Sequence, residues 1–353
     1  MEAQKTSLLG VPLKKLGMDV LNGNSLAIII ALLPASLTTG IIGLIGSNGV
    51  TDTISLMTNT AQSLLPIIAA FAVTHALRLG TLDAASVGLA TFVSSGVLNV
   101  TPAGIVIKGT GSILNIMLMT FVATVLVLLI KDRLGAYKMI VLPTLTLLIG
   151  GTIGFLTLPY MVWIQNAVGF AVAGATNFTP ILMGLVLGAA FAFLITSPLS
   201  SVGIATAISL AGIGSGSANV GIATAALMLA VMSYSVNSTG ATLAHVIGSP
   251  KIQLANLIQK PVMYVPIIVA GGIGGAFASI LGIQGTPFSA GFGFSGLIGP
   301  ITAWAVTPGD AAGVRVLLAY IIVPVVVAAF VSWLFISRFK LLKPSDLKLE
   351  DEN

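Results

Sequence analysis

Ser201-Val202-Gly203-Ile204-Ala205-Thr206-Ala207-Ile208-Ser209 occurs twice in this chain. The other copy, Ser86-Val87-Gly88-Leu89-Ala90-Thr91-Phe92-Val93-Ser94, agrees at six positions of nine, and two of the mismatches are aliphatic exchanges. The offset, from Ser86 to Ser201, is 115 residues. Upstream, Gln62-Ser63-Leu64-Leu65-Pro66-Ile67 answers Asn177-Phe178-Thr179-Pro180-Ile181-Leu182 with the proline slipped by one. Downstream, Leu98-Asn99-Val100 answers Ala218-Asn219-Val220 after a short insertion. Two apolar helices can resemble each other by chance, but shared Gly, Thr, Ser and Asn are not generic apolar filler. A repeat of this length sets the architecture before any motif is read.

Composition gives the class. Of 353 residues, 56% are hydrophobic and 7% are charged, with mean hydropathy +1.08; a soluble domain carries roughly 25% charged residues. The chain is therefore an all-α polytopic membrane protein. Cysteine is absent, which excludes disulfides, thiolate metal sites and a cysteine nucleophile; no cofactor and no metal is expected. The net charge of +5 comes from Lys and Arg scattered at span ends, not from a basic patch, so nucleic-acid binding is rejected.

Residues 1–20 carry Lys5, Lys14 and Lys15 among Leu8, Leu9, Val11, Leu13 and Leu16, a basic amphipathic segment expected on the inner membrane face. A span needs about 20 apolar residues, which predicts spans near 26–46, 54–77, 84–107 and 112–130. The third is rich in Ser, Gly and Asn and could instead be re-entrant. Lys131, Arg133 and Lys138 mark a cytoplasmic loop. Met139 to Pro250 then holds no Asp, Glu, Lys or Arg in 112 residues. Lys138 and Lys251 bracket it, so the crossings between them are even, and four fit: near 140–158, 180–197, 202–215 and 220–236. Tyr160, Trp163, Gln165 and Asn166 read as an interfacial connection. Four spans per copy make a parallel repeat, 21–138 and 139–261.

Residues 262–337 supply two further spans, near 262–283 and 314–336, and Gly271-Gly272-Ile273-Gly274 echoes Gly150-Gly151-Thr152-Ile153-Gly154 as the start of a partial third copy. Between those spans, 285–306 is too Gly-rich for a lipid-facing helix and reads as a re-entrant hairpin. Residues 338–353 form a cytoplasmic tail. The expectation is about ten transmembrane helices with both termini in the cytoplasm.

Most of the forty glycines serve close helix packing. Two clusters differ: Gly96 to Gly104, with Asn99 and Pro102, and Gly212 to Asn219. They interrupt two spans at corresponding places of the two halves, where freed backbone groups can meet a solute; two surface turns are the plainer alternative.

Gly212 through Lys260, with Asn237-Ser238-Thr239-Gly240-Ala241-Thr242 and His245-Val246-Ile247-Gly248-Ser249-Pro250-Lys251, resembles the membrane component (EIIC) of bacterial sugar phosphotransferase systems. The hairpin at 285–306 is similar to that of the perfringolysin-regulator-like branch, whose members carry the label of toxin regulators. The resemblance implies a ten-span homodimeric carrier in the bacterial cell membrane, moving a sugar inward for phosphorylation by separate cytoplasmic EIIA and EIIB partners. As an enzyme it would be a sugar phosphotransferase component acting only with those partners. One departure stands out: better-known members place a membrane glutamate and a histidine beside the sugar, whereas here the glutamates are Glu2, Glu350 and Glu352. Asp52, Asp83 and Asp310 are the remaining carboxylates near the bundle, all expected at span ends, so a carboxylate base for the sugar hydroxyl is in doubt.

His75, three residues before Arg78 on one helix face, and His245 are then the candidate catalytic groups, since an ionisable residue within a span is functional by default; the alternative is a neutral histidine bonded to a neighbouring helix. Asn99 and Asn219 are the candidate solute ligands, because an amide offers the donor and acceptor a sugar hydroxyl requires. They are expected to converge on one polar cavity lined also by Asn237, Ser238 and Thr239; helix capping is the alternative. Three functions stay open: a phosphotransferase-coupled carrier of a sugar or other polyhydroxylated solute, a carrier of the same fold not coupled to phosphorylation, and a membrane sensor or regulator of gene expression.

Overall fold

The computed structural model describes residues 11–349 apart from residues 103 and 288. Lys5, Leu8 and Leu9 of the amphipathic segment and Glu2, Glu350 and Glu352 lie outside the described residues. The chain divides into two compact units. The first comprises the described residues up to Leu32 together with Leu56–Trp163, the second Leu33–Ser55 and Ile164 onward.

In chain order the first unit draws on α1 (Leu13–Ile45), α2 (Gly49–Ser63), α3 (Leu65–Ala76), α4 (Thr81–Val93), strands β1 (Leu98–Thr101) and β2 (Gly104–Ile107), α5 (Ile113–Ile130), α6 (Lys138–Leu145) and α7 (Gly151–Ala173). The chain passes from one unit to the other within α1, within α2 and within α7. A bend of 50° separates α2 from α3, and Pro66 sits in the first turn of α3, where its missing N–H costs nothing. Pro180 opens the later helix α8 (Pro180–Thr196) in the same way. Ala70, Val87, Ala90, Ala123, Val127 and Leu142 form the core of this unit. Leu16 and Val20 from the start of α1 pack with Val73 and Leu128. Asp83, buried in the first turn of α4, pairs with Lys138 at 2.8 Å.

The second unit continues from α8 with α9 (Ser201–Ala207), α10 (Gly212–Ser233), α11 (Thr239–Leu243), α12 (Leu254–Gln259), α13 (Tyr264–Ile280), α14 (Ile298–Val306), α15 (Ala312–Leu317) and α16 (Val323–Trp333). Helix α10 is buried along nearly its whole length. It crosses α8 and α13 where all three carry glycine. A Cβ on Gly188 would overlap Gly271 O, one on Gly275 would overlap Gly184 O, and one on Gly221 would lie 2.5 Å from Gly188 Cα. Backbones this close gain dispersion along their length without a side chain between them. Further along, Met228, Leu229 and Met232 of α10 pack with Ile267, Val331 and Phe335, and with Leu342 and Leu347 from the C-terminal segment.

The membrane character expected from composition is what the helices show. Among the described residues six helical stretches are long and apolar enough to cross a bilayer, or seven when α2 and α3 count as one broken span. Several of the expected spans are shorter elements. The stretch 84–107 is not one helix but α4, of 13 residues, followed by the antiparallel hairpin β1–β2, with Leu98 opposite Ile107 and Thr101 opposite Gly104. The physical cause is local: Leu98 to Thr101 alternates and Ile105-Val106-Ile107 is a β-branched run, with Pro102 and Gly104 between them, a strand–turn–strand pattern. The stretch 202–215 is also two elements, α9 of seven residues and the beginning of α10. Tyr160, Trp163, Gln165 and Asn166 lie inside α7 and form no connection; nothing in that segment breaks a helix, since Pro159 is accommodated within it.

Candidate functional site

Both copies of the nine-residue motif form short helices that stop within a residue or two of its end, α4 at Val93 and α9 at Ala207. In the second unit the stop is a left-handed turn. Ser209 has φ 51°, while its N–H donates to Thr206 O (3.0 Å) and that of Leu210 to Ala205 O (2.9 Å). Glycine is the usual residue in this helix-ending conformation, and a serine there carries about 1–2 kcal/mol of backbone strain. The next helix, α10, begins at Gly212, whose N–H and C=O exchange hydrogen bonds with Gly285 at 2.9 and 3.0 Å. The interruption Ile208–Ala211 forms one wall of an open cavity of about 410 Å³, completed by Thr176, Met183, Ile213 and Gly214. That size falls within the roughly 300–1,000 Å³ usual for small-molecule sites, and the start of α10 presents the positive end of a 22-residue helix there.

Asn219 stands two turns into α10, and its acceptor is used inside the protein. Oδ1 accepts from the N–H groups of Gly291 (3.1 Å) and Gly293 (3.0 Å). Ser201 Oγ donates to Gly291 O at 2.8 Å, and Ser215 Oγ to Thr286 O at 3.0 Å. The Gly-rich stretch 285–296 is thus clamped against α9 and α10. Gly293, at φ 61°, lies so close to Ile222 that a Cβ would overlap it. The amide nitrogen of Asn219 and the hydroxyl of Tyr320 are buried, each without a completed hydrogen bond. Asn219 is not among the residues lining the cavity.

Asn237 and His245 meet at a different place, through the C-terminal segment. Asn237 Nδ2 donates to Leu347 O (2.9 Å), and Leu349 N donates to Asn237 Oδ1 (2.8 Å). Gln253 Nε2 donates to the same Leu347 O at 2.8 Å and lies 3.0 Å from His245 Nε2. His245 is fully buried, and its Nδ1 lies 2.8 Å from Ala241 O. A carbonyl only accepts, so Nδ1 carries the proton and the Nε2 lone pair accepts from Gln253. Burial lowers the His245 pKa from 6.5 to about 4, against the raising effect of the Ala241 and Thr242 carbonyls, which keeps the ring neutral near pH 7. Ser238 caps α11 by accepting from Ala241 N at 3.2 Å, and Thr239 is exposed.

The remaining candidates belong to the first unit. His75 is exposed in the last turn of α3. Asn99 is exposed on β1 and donates to Val97 O, two residues back, at 3.2 Å. A buried amide of this unit that sequence reasoning missed is Asn115. Its Nδ2 donates to Ser94 O (2.7 Å) and Gly154 O (3.1 Å), and its Oδ1 accepts from Thr157 (2.8 Å). The signal was a lone Asn in the first turn of an otherwise apolar span, where an unsatisfied amide would be costly.

A family model described as "Phosphotransferase system, EIIC" matches residues 18–349, nearly the whole chain. The chain belongs to the phosphotransferase system EIIC family. No curated protein matches it. As an EIIC chain it is a multi-pass membrane component of a sugar-handling phosphotransferase system. Within this EIIC chain no glutamate falls among residues 11–349, Asp83 is neutralised by Lys138, and the Nε2 of His245 is engaged. The interruption of α9 and α10 is where backbone polarity, strain and an open cavity coincide.

Proposed function

We propose that this EIIC chain carries a sugar or another polyhydroxylated solute across the bacterial cell membrane and presents it to separate cytoplasmic EIIA and EIIB proteins for phosphorylation. The supporting observation is the interrupted helix of the second unit beside an open cavity, in a chain that the EIIC family matches almost end to end. Broken helices expose main-chain donors and acceptors to a solute at membrane depth, and hydroxyl groups are read by such main-chain groups as well as by Ser and Thr side chains. Ser209 and Thr176 are the cavity's hydroxyl-bearing side chains. Asn219 acts behind the wall by fixing the Gly-rich stretch; Asn99, Asn237, Ser238 and Thr239 are solute ligands in this reading only if transport brings them to the pathway. His75 and His245 are the candidates for a phosphotransfer role. The reading also takes the chain as a homodimer with both termini in the cytoplasm.

A carrier of the same fold uncoupled from phosphorylation is the second reading. It is favoured by the lack of a glutamate among residues 11–349 and by the engaged Nε2 of His245. One experiment separates them. The purified chain is placed in vesicles with phosphoenolpyruvate and cytoplasmic phosphotransferase proteins, and uptake of labelled hexoses, hexitols and disaccharides is followed. Phosphorylated solute accumulating only with the soluble proteins supports coupling, and free solute accumulating without them supports the second reading. No uptake of any solute overturns the carrier reading.

A further inference from the structure

The cavity beside the interruption between α9 and α10 has two unlike sides. Met183, Ile208, Leu210 and Ile213 give it an apolar wall, while Thr176 and Ser209 bring its hydroxyls. No acidic, basic or aromatic side chain lines it. Thr176 Oγ1 donates to Ala173 O at 2.8 Å, so toward a solute it only accepts. Ser209 Oγ has no partner among the described residues and can both donate and accept. The N–H groups of Ile213 and Gly214, in the first turn of α10, also have no acceptor among the described residues, and no side chain caps this helix.

Charge, size and polarity each narrow the solute. A helix start carries only about half a positive charge, which does not offset the desolvation of an anion where no Lys or Arg lines the wall. A cation would lack a carboxylate. A neutral solute remains. The volume of about 410 Å³ lies toward the lower end of small-molecule sites, which suits one sugar ring rather than two. A hexose bears a hydroxyl or a hydroxymethyl group on each ring carbon. An edge of it pressed against the apolar wall would leave a hydroxyl there without a partner, which costs binding. A methyl group in the same place needs no partner and gains from leaving water.

We propose that this cavity seats a neutral 6-deoxyhexose. Its methyl group lies on the wall of Met183, Ile208, Leu210 and Ile213, and its ring hydroxyls meet the polar side. Hydroxyl oxygens accept from the N–H groups of Ile213 and Gly214 and from Ser209, and one hydroxyl donates to Thr176. The hydroxyls on the open side keep their water. Movement of this sugar across the membrane rests on the carrier reading; the seat and its preference for a methyl edge do not.

The purified full-length chain is titrated calorimetrically with matched pairs of sugars: 6-deoxy-D-glucose and D-glucose, D-fucose and D-galactose, L-rhamnose and L-mannose. In at least one pair the deoxy member should bind at least about tenfold more tightly, the discrimination an apolar pocket provides. D-glucuronate, D-glucose 6-phosphate and maltose should bind more weakly than that member. Met183→Gln, close in length but with an amide in the wall, should cut the ratio to about twofold or less, because the hydroxyl then finds a partner. Ser209→Ala should weaken both members of the pair alike. The proposal is overturned when every parent hexose binds as tightly as its deoxy partner, when an anion binds more tightly, or when no sugar binds. A ratio unchanged in Met183→Gln also overturns it. Vesicle uptake is read separately. Transport of another class of solute leaves the carrier reading standing without this seat, and deoxyhexose binding without uptake of any solute removes the carrier reading alone.

Discussion

At the scale of single residues, burial decides what a side chain can do. His75 and His245 are equivalent as letters, yet one is exposed at a helix end and the other is enclosed with both ring nitrogens engaged. The sign of the resulting pH effect is fixed. His245 titrates near 4 when folded and near 6.5 when unfolded, so between these values the unfolded chain binds more protons. Stability is therefore full above about pH 6.5 and is lost as the pH falls toward 4, by up to about 3 kcal/mol from this residue. Thermal unfolding of the detergent-solubilised chain should show the Tm dropping in that window, with a smaller drop in H245Q. An equal acid loss in the variant would remove His245 as the cause. Lys251 acts in a separate window, its stabilising trend running upward from about pH 7. Asn219 shows the limit of reading residues singly. A polar side chain in a span was identifiable, but its acceptor serves Gly291 and Gly293, more than 70 positions away in sequence.

At the scale of elements, the glycines of α8, α10 and α13 separate packing from conformation. Gly188 has an ordinary helical backbone, and what forbids a side chain there is Gly271 O and the Gly275 backbone. Gly188→Ala is expected to force the helices apart and cost about 1–3 kcal/mol, as overpacking does. Gly240 in α11 has nothing within 4 Å of a Cβ, so Gly240→Ala should be neutral or slightly stabilising. Comparing their unfolding temperatures tests the pair; equal temperatures would show that the three-helix contact is looser than its geometry. Sequence indicated that these glycines pack helices but not which helices, because every apolar span offers a similar row of small residues. The β1–β2 hairpin was missed for a related reason: in a strongly apolar chain, a short β-branched run such as Ile105-Val106-Ile107 resembles the edge of a span.

At the scale of the second unit as a whole, the C-terminal segment acts as a strap. Leu342 and Leu347 enter the core, while Asn237, Gln253 and Asn256 bond to the main chain of Leu347, Lys348 and Leu349. Lys260 and Asp346 add a partly exposed ion pair at 2.5 Å. The apolar anchors should dominate. Leu347→Asp, which buries a charge without a partner, is expected to lower stability by several kcal/mol, on the order of 3–5. Asp346→Asn should change it by less than about 1 kcal/mol. Unfolding of the two variants, followed by intrinsic fluorescence, checks the ranking. A larger effect of Asp346→Asn would make the strap electrostatic.

Sequence by itself determined the solvent and the class. A chain with 7% charged residues cannot satisfy its apolar surface in water, and backbone polarity in lipid then demands helices. Sequence did not place the helix break of the second unit: Gly212–Asn219, read as an interruption, is the continuous start of α10, and the chain breaks instead at Ile208–Ala211, after α9. Solvent and class follow from local chemistry, which the letters carry. Only the tertiary structure decided the partners of Asn219, His245 and Lys251. Each depends on chain segments distant in sequence, and a polar residue in an apolar chain is satisfied by whichever segment the packing brings to it. The same physics gave two expected solute ligands partners inside the protein: Asn219 bonds to a Gly-rich stretch and Asn237 to the strap. It left the carbonyls of Leu194, Ser197 and Leu199 to the ammonium of Lys251.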